Sequence, residues 1–331
     1  MSGFKSARKG EKTQSFLNSS AFRLCAKPYN MWQQLLSDLQ KHDTKALARC
    51  ISLVENEVEG YEQLMKSLQL KSPANLIGVT GPPGAGKSTL VDCLIGELVS
   101  NNHKVGILCV DPSSPFNLGA LLGDRIRMSE WYEHPNVFIR SLATRGALGG
   151  LHPKIIEITD LLKEAGFDYI IVETVGVGQS EVEVAGLVDT TLVVLVPEAG
   201  DEIQTMKAGL MEIADIFVVN KSDRPGADQF VYNLHLLLSP AKKNQVEIPV
   251  IKTIASQKTG IGELMKAVYK SGLDQTENEK RLWLLTEQSF HLIQSRKMKH
   301  ISKTELRDQI ALAIQQGTFN PYHFIEEYFD R

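Results

Sequence analysis

Seven short runs of aliphatic and β-branched residues recur along the chain: LIGVT (76–80), VGILCV (105–110), VFIRSL (137–142), YIIVET (169–174), TLVVLV (191–196), IFVVN (216–220) and IPVIKT (248–253). They are apolar in continuous stretches and not in alternation, so each strand they form must be covered on both faces. The longer segments between them mix polar and apolar residues at helical spacing, which supplies the cover. Such a chain is expected to fold as an α/β protein built on a mostly parallel sheet with helices on both faces.

Helical extensions flank this core. From Met31 to Leu70 the pattern is helical, with Leu47, Ile51 and Val54 at i, i+4 and i+7 and Leu64 and Leu68 repeating the spacing, until Lys71-Ser72-Pro73 breaks it. After about Gly272 the strand signal stops, and Leu306, Ile310 and Ile314 mark a helical stripe. The expected divisions are a poorly ordered tail over 1–30, an N-terminal helical segment over 31–72, the α/β domain over 73–272 and a helical arm over 273–331. The arm has too few apolar residues for a core of its own, by the guide of about 70–80 residues for small scaffolds, so it should pack on the main domain or on a second subunit.

Composition narrows the functional classes. The 331 residues are 43% apolar and carry a formal charge of −3, enough for a sizeable core and without a basic field to draw nucleic acid or an anionic membrane. No apolar stretch approaches the ~20 residues of a membrane-spanning helix. Cys25, Cys50, Cys93 and Cys109 form no C-x-x-C pair, which argues against a zinc site or a disulfide framework and points to a reducing cytoplasm. The eight histidines are scattered and read as surface or satisfied core groups. The first thirty residues hold six Lys or Arg against one Glu, several Ser, and no apolar core of the kind a secretory signal needs. That composition describes a polar tail or, alternatively, an organellar transit peptide, which would carry the chain to the mitochondrial matrix of a eukaryote.

The stretch Gly81-Pro82-Pro83-Gly84-Ala85-Gly86-Lys87-Ser88 follows the first strand run and precedes a helical segment, the context in which G-x-x-x-x-G-K-[ST] is a phosphate-binding loop. Its backbone N–H groups would face phosphate oxygens at a positive helix N-terminus. Lys87 would reach the β and γ phosphates, and Ser88 would ligate Mg²⁺. Pro82 and Pro83 exclude the variant loop with an additional early lysine. Because Mg²⁺ takes hard oxygen ligands, carboxylates at strand ends are expected beside it, and two runs end with one, at Asp111 and Glu173. Asp124 is a third candidate.

Asn220-Lys221-Ser222-Asp223 closes another strand run. A carboxylate at Asp223 can accept hydrogen bonds from both N1–H and the 2-amino group of guanine, whereas adenine has an unprotonated N1 and no 2-amino group. This selects GTP over ATP. Asn220 would brace the base and its neighbouring loops, and the Lys221 stem would cover the purine face.

Taken together, GPPGAGKST, VDPSSP (110–115), GDRIRM (123–128), TRGALGGL (144–151), ETVGVGQSE (173–181), PEAGDEIQTMKAGLMEIADI (197–216) and NKSD closely resemble the MeaB/ArgK family of P-loop GTPases, from about Met31 to the end of the chain. The resemblance implies a GTPase that serves as chaperone of an adenosylcobalamin-dependent acyl-CoA mutase of the methylmalonyl-CoA type, gating cofactor delivery and protecting the enzyme. It implies GTP or GDP and Mg²⁺ as ligands, with Asp111, Asp124 and Glu173 around the metal and Gly176 sensing the γ phosphate. Nucleotide contacts are expected from Gly81 through Thr89 and from Asn220, Lys221, Asp223, Ala255 and Ser256. Gly200 to Leu210 corresponds to an additional mobile loop, with Asp201, Gln204 and Lys207 as polar members, of which Gln204 and Lys207 join Lys87 and Glu173 in the expected catalytic set. The C-terminal helices match a region through which family members dimerise.

One segment departs from the family pattern. Where a Thr-Ser-Ala run is usual, the chain has Thr253-Ile254-Ala255-Ser256, so the Ala255 N–H could meet guanine O6 but the serine is missing. Other readings are an ATPase or kinase accessory to periplasmic amino-acid uptake, against which NKSD argues, and a nickel metallochaperone, whose Cys-x-Cys-Cys or His-rich segments are missing. A nucleotide-regulated scaffold without turnover is a further alternative.

Overall fold

The computed structural model describes residues 28–70, 74–111, 128–144, 151–174, 180–199, 211, 213–238, 248–273, 279–326 and 328. The seven apolar runs become seven strands: β1 (Asn75–Thr80), β2 (Val105–Asp111), β3 (Val137–Ala143), β4 (Tyr169–Thr174), β5 (Thr190–Leu195), β6 (Ile216–Val219) and β7 (Val250–Lys252). They form one sheet in the order β3-β2-β4-β1-β5-β6-β7, and every pairing is parallel. The last strand is shorter than its apolar run because Pro249 has no N–H to give to a ladder, a residue tolerated only at a sheet edge. Its carbonyl still accepts from Phe217 N at 2.9 Å.

Continuous apolar runs are explained by the cover on each face. On one side, Ile77, Val79, Ile107, Cys109, Ile171, Leu192 and Val194 pack against α4 (Lys87–Ser100). On the other, Leu76, Leu108, Val110, Ile170 and Val172 share a core with α1 (Pro28–Gln40), α2 (Thr44–Glu55), α3 (Tyr61–Ser67) and α5 (Ile155–Glu164). Beyond α6 (Ser180–Ala185), that second face continues under α7 (Ala227–Leu238), where Phe230, Leu234 and Leu238 meet Val193, Leu195 and Phe217. A last helix, α8 (Ile261–Leu273), returns to the α4 side through Leu264, Met265 and Val268.

The N-terminal pattern resolves into three helices. Asp43 caps α2 by accepting from Lys45 N at 2.8 Å and Ala46 N at 3.4 Å. Of the positions read from spacing, Leu47, Ile51, Val54 and Leu64 are buried, while Leu68, just past the end of α3, is half-buried. This bundle is tied to the sheet by charge as well as by packing: Arg140 of β3 pairs with Glu55 of α2 and donates to Ser52 Oγ at 3.2 Å. Nearby, Lys154 Nζ lies 3.0 Å from Glu57, 3.2 Å from Glu157 and 3.1 Å from the Tyr61 hydroxyl. Burial alone would lower the Lys154 pKa, but Glu157, Tyr61 and Glu57 outweigh it and hold the ammonium above the usual lysine range.

The Glu55 side chain is 9% exposed and that of Arg140 25%, so removing one partner of the pair leaves a poorly hydrated charge. Arg140→Met is therefore expected to lower unfolding stability by about 2–4 kcal/mol, and Arg140→Met with Glu55→Leu to recover most of that loss. Denaturant midpoints for parent, single and double variants test this. A double variant no better than the single would rule out the pair as the cause.

The chain divides into two compact units, one ending at Thr276 and one beginning at Glu277. The second consists of α9 (Glu279–Met298), α10 (Lys303–Gln315) and α11 (Pro321–Glu326). None of the described side chains in α10 or α11 is buried.

Candidate functional site

In an open parallel sheet, ligands sit beyond the carboxyl ends of the strands, where successive connections leave toward opposite edges. Here that point is the end of β1, since α4 leads to β2 on one side while β5 lies on the other. The loop 81–86 fills it. Gly81 has φ +137, and a Cβ there would lie 2.1 Å from the Val194 carbonyl oxygen, so only glycine lets the loop rest on the β5 backbone. Gly86, at φ +90, opens α4 without a side-chain cap, and a Cβ there would lie 2.4 Å from Asn220 Nδ2. The helix thus begins at a backbone of left-handed turns, an arrangement suited to anions. Lys87 and Ser88 are the first two residues of α4 and both are buried.

The Lys87 ammonium folds back over the loop and donates to the carbonyls of Gly81 at 2.9 Å and Pro82 at 3.0 Å. Ser88 Oγ donates to Glu173 Oε1 at 2.7 Å. Glu173 pairs in register with Cys109, so Asp111, two residues on, faces the same side of the sheet at the next row toward the strand ends. Both carboxylates are buried, each 4% exposed. A hydroxyl and two buried carboxylates on three separate elements are hard-oxygen groups of the kind Mg²⁺ takes. Behind them, Thr174 Oγ1 donates to Thr80 Oγ1 at 2.9 Å and locks the ends of β4 and β1 together.

On the other flank, Asn220 links three loops. Its Nδ2 donates to the Ala85 carbonyl at 2.9 Å, and its Oδ1 accepts from Ala255 N at 3.1 Å and Thr253 Oγ1 at 3.2 Å. Lys221, at φ +55, lies across the phosphate loop and donates from Nζ to Gly84 O at 2.7 Å. Ser222 Oγ donates to Thr253 O at 3.0 Å. Asp223 is exposed beside them, as is Ser256. Arg224 pairs with Glu198, and that hydrogen bond holds the Glu198 carboxyl below its ordinary range.

The family model described as "Methylmalonyl Co-A mutase-associated GTPase MeaB" matches residues 47–305. The chain belongs to the MeaB family of GTPases. It is 43% identical over 300 residues to a Pyrococcus horikoshii protein named for GTPase activity, covering 87% of this chain and 94% of that one. It is 33% identical over 344 residues to the mouse methylmalonic aciduria type A homolog, mitochondrial, covering 93% of this chain and 81% of that one. A solved structure described as "LAO/AO transport system kinase" superposes with a TM-score of 0.63 at 26% identity, covering 91% of this chain and 97% of that one.

In this MeaB-family chain, the residues from Gly81 to Thr89 and those at Asp111, Glu173, Asn220, Lys221, Asp223, Ala255 and Ser256 lie at the carboxyl end of the sheet or in the loops that leave it. Asp124, Gly176, Asp201, Gln204 and Lys207 lie outside the described residues. Two links had no sequence signal. Trp131 donates from Nε1 to Asp92 Oδ1 at 2.7 Å, fastening the chain downstream of Asp124 to α4. Cys93, set aside when cysteine spacing excluded zinc, donates from Sγ to the Ala255 carbonyl at 3.1 Å.

Proposed function

We propose that the chain binds GTP with its phosphates over the loop 81–86 and its base against Asp223, hydrolyses it, and uses the nucleotide state to control docking on an adenosylcobalamin-dependent acyl-CoA mutase. The observation that carries the nucleotide reading is Asn220, whose one side chain bonds both to the phosphate loop at Ala85 and to the turn at Ala255. The loop that would hold the phosphates and the turn that would meet the base are thereby held in one frame.

Ser88, Asp111 and Glu173 would hold Mg²⁺, directly or through its waters, with Asp124 completing the set. Bound there, the ion would neutralise charge on the β and γ oxygens. Lys87 would exchange its two loop carbonyls for phosphate oxygens, keeping a buried ammonium paired throughout. Phosphoryl transfer of this kind rests on positioning and charge neutralisation, so a slow intrinsic rate raised by a partner is the natural behaviour.

The partner reading is supported by the family description and by the mouse relative's name. A dimer through α9 to α11 is supported by the apolar side chains that α9 exposes, among them Leu282, Phe290 and Ile293, each at least 59% exposed. Lys207 and Gln204 would act from the loop over 200–210, which the mutase would order against the nucleotide.

One set of assays tests these points: phosphate release from GTP by parent and Lys207→Ala, with and without saturating methylmalonyl-CoA mutase, on preparations whose dimer is verified by sedimentation. The mutase should stimulate the parent, and Lys207→Ala should lose the stimulated increment while keeping intrinsic turnover. Full stimulation in Lys207→Ala would remove the lysine from the mechanism, and no stimulation of the parent would remove the mutase. The solved structure's kinase description brings a second reading, and γ-phosphate label arriving on protein instead of in free phosphate would favour it.

A further inference from the structure

We propose that Cys93 is a positioning residue for base recognition: from the buried side of α4, its thiol holds the Ala255 carbonyl and so aims the following N–H at the purine's 6-oxygen. The inference rests on the guanine reading above and extends it to a residue outside the recognised motifs.

Ala255 begins a 3-10 turn, Ala255–Gln257, which is closed by a bridge between Ile254 and Thr259. Its N–H is given to Asn220 Oδ1 at 3.1 Å. The Gln257 N–H is given to Ile254 O at 2.9 Å. Between them stands the peptide that joins Ala255 to Ser256. Its carbonyl accepts from Cys93 Sγ at 3.1 Å and from Lys258 N at 3.1 Å. A trans peptide is planar, with its C=O and N–H pointing in opposite directions. Holding the carbonyl toward α4 therefore turns the Ser256 N–H away from the helix, on the side where Ser256 is exposed.

The consequence is a division of labour that the missing serine in Thr253-Ile254-Ala255-Ser256 would otherwise leave unexplained. Asn220 secures the turn at its entry, and Cys93 fixes the orientation of the next peptide plane. Since α4 also carries Lys87 and Ser88, the helix that grips the phosphates sets the donor for the base. The thiol suits this task. It is 6% exposed, and burial, together with the Asp92 carboxylate, raises its pKa against the opposing pull of Lys258, so it stays protonated as a donor at neutral pH.

The test compares four ligands by calorimetry on the full chain: GDP, ADP, inorganic pyrophosphate, and the diphosphate of 2-aminopurine riboside, which keeps the 2-amino group but has no 6-oxygen. In Cys93→Val, close in volume but without a donor, the GDP Kd should rise by about fivefold, the effect of losing one well-aimed hydrogen bond. Pyrophosphate and the 2-aminopurine ligand should bind as they do to the parent. Cys93→Ser, which restores a donor, should recover most of the GDP affinity. Unchanged GDP affinity in Cys93→Val, or an equal loss for all ligands, overturns the proposal. Should Cys93→Val not be recovered folded, Cys93→Ala gives the same readings. A parent that fails to prefer GDP over ADP would instead overturn the guanine reading itself.

Discussion

Lys87→Met is expected to lower GTP turnover by about 10²–10³-fold or more, the loss that follows removal of one preorganised donor to transition-state charge. The substitution keeps the apolar stem that fills its place at the start of α4, so the fold should survive. What disappears is the ammonium, which donates to the carbonyls of Gly81 and Pro82 at the start of the phosphate loop. A buried cation satisfied by neutral carbonyls gains most when anionic phosphate oxygens replace them. Single-turnover phosphate release, run beside thermal unfolding of parent and variant, checks both halves of the expectation. Turnover within tenfold of the parent, in a variant that melts normally and binds GTP, would take Lys87 out of the reaction.

The parts of the molecule legible in the sequence share a physical property: their determinants are local. A strand buried on both faces must be apolar throughout, which is why the runs at Leu76, Val105 and Tyr169 could be read as strands of a covered sheet. The phosphate loop was legible because Gly81 and Gly86 occupy backbone conformations and close approaches that few other residues could take. The breaks among the first three helices were harder. They turn at His42 and Glu57, non-glycine residues at φ +65 and +48, and neither carries the punctuation that marks a helix end. The Glu55–Arg140 pair was hidden for another reason, since a charge on an amphipathic helix ordinarily faces water, and only the docking of α2 on β3 buries it. Cys93 and Ala255 are 162 residues apart, and nothing in the composition around either one points to the other.

Asp223→Asn should exchange one nucleotide for another instead of abolishing binding. The carboxylate of Asp223 accepts from two adjacent donors on guanine, N1–H and the 2-amino group, whereas an amide offers one acceptor and one donor. Placed against guanine, the amide therefore leaves two donors facing each other, and the mismatch should cost about 2–4 kcal/mol of GTP affinity. Xanthosine triphosphate carries an oxygen at position 2, so the same amide meets one donor and one acceptor and should bind it more tightly than the parent does. Both halves depend on the base lying where Asp223 can reach its edge. That frame is independent of the substitution: Lys221 remains fastened to Gly84, and Asn220 to Ala85 and Ala255. Calorimetry with GTP and xanthosine triphosphate distinguishes the possibilities. Loss of both ligands would mean that the turn after β6 had been disturbed as a whole. Unchanged GTP affinity would mean that Asp223 does not read the base, and the exposed carboxylate would then be an ordinary surface charge. The reciprocal exchange, weaker for guanine and stronger for xanthine, requires a carboxylate that accepts from two donors at once.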